Sequence, residues 1–403
     1  MAITPISEPS VHRAAPGAAP WHAGHALWQL GFRPFYLLAA VFAAIAIPLW
    51  LASYFGLSPG RAQVGLGWHM HEMVFGFAVA VVIGFLYTAG RNWTGLPTPR
   101  GAALMALAAL WLAGRVAMLC FPGVAAAAID VLFLPLAAWP LYQVLRRSGN
   151  HRNLFLVGLL ALLALANALY HAAALGALSL SPFVPVQAAI LVIVLIESVL
   201  GARVIPMFTR NGAPGSTPVA SPRRALIAVA CMAAAGIAWL AGAPGLVTAP
   251  LALCAAGVSL ANLLAWQPQR TMRVPLLWIL HLSYAWIGVG FALLAAASLG
   301  LLPASAAFHA LTVGSMAGLI IGMMTRTTLG HTGRALKGGR AEAAMYWLVQ
   351  LGALARLLAA VGPAALAVPA LLAAGACWSL AFGLYVLVYA PYLWRARVDG
   401  REG

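Results

Sequence analysis

Apolar stretches of about 20 residues recur along the whole chain, separated by short polar or Pro/Gly-bearing breaks. Ala, Leu and Gly dominate them, and no alternation of period two runs through any of them. That length suits helices crossing a hydrocarbon layer, and the missing alternation argues against the strands of a membrane barrel. The pattern predicts twelve spans, over residues 35–55, 69–89, 101–121, 125–145, 154–176, 183–205, 225–246, 249–266, 275–298, 305–325, 342–361 and 366–390. The pair 225–246 and 249–266, rich in Ala and Gly, is the least sharply bounded.

Composition supports this reading. The chain is 403 residues long, 63% hydrophobic and 7% charged, whereas a soluble domain carries about 25% charged residues. With a bilayer as solvent, only helices or closed barrels satisfy the backbone. The expected architecture is all-α: a polytopic bundle of twelve helices forming one integral domain over 31–398, preceded by a polar segment, 1–30. Two halves of six spans would suit a carrier-type repeat, but no self-similarity between the halves stands out. The four cysteines, Cys120, Cys231, Cys254 and Cys377, lie singly in apolar runs, so neither a disulfide framework nor a CxxCH haem attachment is indicated. Residues 1–30 hold no apolar stretch long enough for a cleavable signal.

The formal charge of +16 would suggest nucleic acid in a soluble protein. Here it reads as topology, with membrane lipid rather than nucleic acid as the partner. Arg91 and Arg100 follow span 2; Arg146, Arg147 and Arg152 follow span 4; Arg203, Arg210, Arg223 and Arg224 follow span 6. Arg270 and Arg273 follow span 8; Arg326, Arg334, Lys337 and Arg340 follow span 10; Arg395, Arg397 and Arg401 follow span 12. With Arg13 and Arg33, one side holds 20 of the 23 basic residues, and loops after odd spans hold only Arg61. A wrong span count would scramble that alternation. Positive-inside bias then predicts both termini in the cytoplasm.

This ruler assigns depth to the polar residues. The segment Trp68-His69-Met70-His71-Glu72-Met73 packs imidazoles, thioethers and a carboxylate, all groups that hold transition metals, at the outer start of span 2. His171, His309, Arg115 and Arg356 approach the same face, and Asp130 at that level is placed to pair with Arg115. That pair reads equally well as a structural ion pair. On the inner side His281 lies about 9 Å into span 9, and Glu197 about 12 Å short of Ile205. Arg33, Arg203, Arg210 and Arg326 crowd the inner span ends, where they can also snorkel. His331 follows span 10. In a regular helix His69 and His71 point about 200° apart, so they cannot ligate one metal from that helix. His69 shares a face with Glu72 and Met73, and His71 with Val74 and Phe75. The two histidines serve two centres, or the segment is irregular. His12, His22, His25 and His151 read as ordinary residues of the basic face. A histidine such as His171 near a helix end is most simply an interfacial hydrogen-bonding residue. Met316, Met323 and Met324 suit packing, and Trp28, Trp50, Trp139 and Trp394 suit interfacial anchoring.

Longer segments carry a resemblance. Gly31-Phe32-Arg33-Pro34-Phe35, Trp68 through Phe77, Asn92-Trp93-Thr94-Gly95, Glu197 with Gly201 through Asn211, His281 through Trp286, His309 through Gly314 and Gly322 through Arg334 together resemble the NnrS family of bacterial membrane proteins. The resemblance implies a haem- and copper-containing protein of the cytoplasmic membrane, associated with denitrification and protection against nitric oxide. Without CxxCH the haem would be of b type, held by imidazole. His69, His71, His281, His309, His331 and His171 are the candidate metal ligands. Arg33, Arg203 and Arg326 on the inner side, and Arg115 and Arg356 on the outer, are the candidate grips for propionates. Glu72 and Glu197 are the candidate proton carriers.

Three functions follow as expectations. The first is a haem redox or nitric-oxide-handling protein, a reductase or detoxifying enzyme with a respiratory electron donor. The second is a transporter of an anion or metal complex; dispersed histidines fit it less well. The third is a haem-based sensor or partner of a respiratory complex. A haem–copper oxidase subunit has a similar span count, but its His-Pro-Glu-Val segment is absent here. The opening histidines thus form one wall of an outer site completed by His309 and His171, with a second polar site across the membrane.

Overall fold

The computed structural model describes residues 19, 22–57 and 63–401; His12, Arg13 and Arg61 lie outside the described residues. Among these, twelve helices are long and apolar enough to cross a membrane: α1 (Phe32–Tyr54), α2 (Leu66–Thr94), α3 (Ala102–Cys120), α4 (Val124–Arg147), α5 (His151–Ala174), α6 (Phe183–Gly212), α7 (Pro222–Leu240), α8 (Gly245–Ala265), α9 (Pro275–Ser298), α10 (Ala304–His331), α11 (Arg340–Val361) and α12 (Ala364–Trp394). The protein is a polytopic all-α membrane protein, with each predicted span matched by one helix.

The helices overrun several predicted ends, most of all in α2, α6 and α10. Arg91, Arg210 and Arg326 are therefore helical rather than in loops. A charged residue lowers the mean hydropathy of any window that holds it, so hydropathy alone ends these spans early. The weak pair resolves as two helices joined at Gly242, whose φ of 66° is the left-handed region that glycine enters without penalty.

The ring of helices runs α3–α4–α5–α6–α7–α8–α9 and then α11–α12–α1, each packed on the next. α2 and α10 stand inside it. In their most apolar windows 89% and 78% of residues are buried, against 50% or less for every other helix except α9. Close approach at the centre needs small residues, because helices in lipid associate through packing. A Cβ on Gly31 would stand 2.6 Å from the Cβ of Tyr87, so the turn into α1 can lie against α2 only with glycine there.

Both central helices change pitch. α2 is a π-helix over Glu72–Ala78 and α10 over Ala310–Ala317. Each wide turn follows a histidine directly, His71 in one case and His309 in the other. π-turns are rare and concentrate at functional sites, because the wider winding re-aims the side chains around it.

Twelve crossings put the start of α1 and the end of α12 on one face, and a buried cation ties them. Arg33 at the start of α1 is fully buried and donates to the carbonyls of Leu393 and Arg395, each at 2.8 Å. Those carbonyls have no intrahelical partner at the end of α12 and carry the negative end of its dipole.

Candidate functional site

At the end of the bundle opposite the termini, α2 feeds two separate clusters. The π-turn decides which residue enters which. His69, Met73 and Phe77 point to one side, with Met70 and Val74, and line a cavity of about 360 Å³. Its other walls come from α1, α6, α10, α11 and α12, including Trp50, Ile190, His309, Thr312, Met316, Arg356 and Trp378. That volume lies within the range of cofactor and small-molecule sites, and the lining is mostly apolar with a few convergent polar groups.

The two cavity histidines are held differently. His69 stacks on Trp50 with ring centroids 4.1 Å apart and planes at 19°, and its Nδ1 is buried without a partner. His309 donates Nδ1–H to the Ser305 carbonyl at 2.6 Å. That bond fixes the tautomer and leaves the Nε2 lone pair free, the usual support of an imidazole that binds metal. Arg356 lines the same cavity and supplies a cation to it.

His71 belongs to the second cluster, wholly buried between α2, α3, α4 and α5. Its Nδ1 meets Glu72 Oε1 at 3.0 Å, and its Nε2 lies 3.3 Å from Asp130 Oδ2 and 2.9 Å from Asn167 Oδ1. His171 Nε2 reaches the same Asp130 oxygen at 3.0 Å. Arg115 bridges the two acids, donating to Glu72 Oε2 at 3.0 Å and to Asp130 Oδ1. Asn167 Nδ2 donates to Asp130 Oδ2 at 2.7 Å. One ligand atom each from His71, Asp130 and His171 lies within 4.8 Å of the others, close enough to hold a metal ion. Two carboxylates and two imidazoles against one guanidinium make the cluster rich in donor atoms for a cation.

Space at the cluster is tight. A Cβ on Gly76 would stand 2.7 Å from Arg115 Nη1 and 2.9 Å from Glu72 Oε2. The indole N–H of Trp111 donates to the Gly76 carbonyl at 3.0 Å. The glycine of the π-turn therefore makes room for the ion pair and anchors α3.

Three expectations change here. The single outer site divides: His309 joins His69, while His171 joins His71. Glu72 was placed on the face of His69 by regular helix geometry, yet it bonds His71. The angular step inside a π-turn is smaller than the α-helical one, and adjacent side chains there can converge. Arg115, grouped with Arg356 by depth, is committed to Glu72 and Asp130 instead of the cavity, because its guanidinium has both acids in reach.

The remaining residues lie elsewhere. His281 has both ring nitrogens engaged, Nδ1 with the Leu277 carbonyl at 3.1 Å and Nε2 with Thr209 Oγ1 at 3.2 Å. His331 ends α10 beside Phe32, with ring centroids 5.7 Å apart, and so sits near Arg33 on the terminal face. Arg203 donates to Asn153 Oδ1 at 2.8 Å, and Arg326 lies over the Phe208 ring at 3.8 Å. Glu197 is in neither cluster; it accepts from Ser315 Oγ at 3.1 Å, on the second π-turn. Sequence reasoning missed Asn167, which bonds both His71 and Asp130, and Tyr170, whose ring packs 4.5 Å from that of His71 and 5.3 Å from that of His171. The signal was present: positions 167, 170 and 171 put three polar side chains on one face of an otherwise apolar helix.

No curated protein matches the chain. The family described as NnrS protein matches residues 26–397, nearly the whole described chain and both clusters. The chain belongs to the NnrS family.

Proposed function

We propose that this protein is a membrane haem protein that handles nitric oxide, with haem b in the His69–His309 cavity and a second metal at His71, Asp130 and His171. Family membership supports a metal-binding membrane protein linked to the nitric oxide response. The observation that carries the finer reading is the convergence of His69 and His309, from the two central helices, on one apolar cavity.

The residues present fit the group. The buried Nδ1 of His69 has no protein partner, and His309 keeps its Nε2 free by spending Nδ1 on Ser305. Trp50 fixes the His69 ring plane, Met70 and Met73 supply soft apolar wall, and Arg356 offers a guanidinium for a propionate. A haem supplies an iron centre that binds nitric oxide and passes single electrons. The protein excludes water with Phe77, Ile190 and Trp378 and orients the imidazoles. At the second cluster Glu72 orients His71 through Nδ1, as an outer carboxylate orients a metal-bound histidine. Copper suits two imidazoles and a carboxylate. The terminal face, rich in arginine, faces the cytoplasm of a bacterial inner membrane in this reading, and a respiratory donor supplies the electrons.

Optical and EPR spectra of the purified protein from haem-replete cells test it. His69→Ala and His309→Ala should lose or displace the Soret band, whereas His71→Ala and His171→Ala should retain it. No Soret band in the parent protein, or a band that survives both of the first pair, overturns the assignment.

A further inference from the structure

Directly beneath the His69–His309 cavity, toward the terminal face, lies a second and smaller one of about 90 Å³. The two are one helical turn apart on α2, α6 and α10. Phe77 lines the upper and Val81 the lower, and Met316 and Leu319 do the same on α10. Nearly all of the lower wall is hydrocarbon, but it holds two polar atoms that make no hydrogen bond. Glu197 Oε1 and the Tyr36 hydroxyl are both buried and unpartnered, and both residues line this cavity. No ion pair reaches Glu197 among the described residues.

Buried polar atoms of this kind are nearly always satisfied, by ordered water when protein does not reach. The volume admits a few waters, and an acid and a phenol give them partners. A carboxylate without a cation is costly at this depth, so the carboxyl is better suited to holding a proton than a charge. Its other oxygen accepts the Ser315 hydroxyl, and Ser315 neighbours Met316 of the upper cavity on the same π-turn.

Hydroxyl groups continue toward the terminal face. Glu342, in the first turn of α11, accepts from Tyr389 at 2.7 Å. The Tyr389 and Tyr385 rings stack at 4.8 Å, and the Tyr385 hydroxyl lies 3.2 Å from Thr328 Oγ1 on α10. This puts a run of proton-carrying groups between the terminal face and the small cavity.

We propose that Glu197 and Tyr36 form a hydrated proton-relay site that draws protons from the terminal face along Glu342, Tyr389, Tyr385 and Thr328 and passes them through Ser315 to the upper cavity. Each step breaks one O–H bond and forms another, so every oxygen regains the proton it gives. The source is bulk water at the terminal face, and the sink is a proton-consuming reduction in the upper cavity. The proposal rests on the functional reading above for its sink, but not for its path.

Infrared spectra of the haem-loaded protein, followed after transfer from H2O to D2O, test the path. Expected is a protonated-carboxyl C=O band that Glu197→Gln lacks and that Ser315→Ala displaces. Its exchange should slow in Tyr36→Phe and Glu342→Gln by up to about tenfold, the worth of one lost hydrogen bond. The Soret band of those two variants should stay unchanged. Absence of any Glu197-dependent band, or parent-like exchange in both Tyr36→Phe and Glu342→Gln, overturns the relay. A parent protein without haem that still shows the band and the slowed exchange keeps the relay and removes only its sink.

Discussion

His71 and His171 meet on a single oxygen, Asp130 Oδ2, at 3.3 and 3.0 Å, with their ring centroids 5.0 Å apart. Two imidazoles on one carboxylate oxygen, with Glu72 behind the first ring, make a preformed set of donors for a borderline metal ion. The upper cavity presents a different pair, His69 and His309, so the two centres should be separable by mutation. Metal analysis of purified His171→Ala and Asp130→Asn should show loss of the non-haem metal with the Soret band kept. Parallel loss of both signals would mean that the clusters act as one site.

Arg115 is the cation that makes two buried carboxylates tolerable at the second cluster. Replacing it with methionine leaves Glu72 and Asp130 facing one another in low dielectric. Breaking a buried pair from one side typically costs about 3–5 kcal/mol. Thermal unfolding in detergent should show that loss for Arg115→Met. Adding Asp130→Asn to it should restore part of the stability, because one of the stranded charges is gone. A double variant as unstable as the sum of the singles would contradict the pairing.

Gly76→Ala tests the space inside the first π-turn. The new methyl would press on Arg115 Nη1, Glu72 Oε2 and Phe42 Cε1, all within 3 Å. Overpacking of this kind costs about 1–3 kcal/mol. Gly158→Ala is the control, since nothing lies within 4 Å of a Cβ there. The two midpoints should move apart in a thermal-shift measurement, with only the Gly76 variant falling.

The segment before α1 should loosen in acid. His25 Nδ1 accepts the Leu27 N–H at 3.1 Å, and the ring packs edge-on against Trp394 with centroids 5.9 Å apart. Only the unprotonated ring nitrogen can accept. Burial, and then the nearby positive charge of Arg33, hold the His25 pKa below its ordinary value of 6.5. A depressed pKa means that the docked segment binds fewer protons than the undocked one. Its contribution is therefore complete above the ordinary value and is lost as pH falls below it. Hydrogen exchange across residues 22–30 should be faster at about pH 5 than at about pH 7.5, and the difference should vanish in His25→Ala.

Much of this was legible in residue order. Twelve apolar runs fixed the helix count, because the hydrocarbon thickness sets a minimum length that few other constraints imitate. The alternation of basic loops fixed which residues share a face and which polar groups share a depth. Arg115 with Asp130 followed from depth alone. The separate directions of His69 and His71 followed from the helical angle between them.

Partnership across helices was not legible. Depth placed His69, His71, His171 and His309 at one level, yet a level is a plane and a site is a point within it. Only the packing of α2 and α10 inside the ring put His309 with His69 and His171 with His71. The π-turns were equally hidden, since nothing in the residue pattern of Glu72–Ala78 or Ala310–Ala317 marks a wider winding. Glu197 shows the same division. Its place in span 6 gave its depth, but the cavity, Ser315 and Tyr36 came only from chain segments far apart in sequence. Sequence set the element, face and depth of each group here, because those depend on periodicity and solvent. Tertiary structure alone decided what each group meets, because that depends on which helices close on one another.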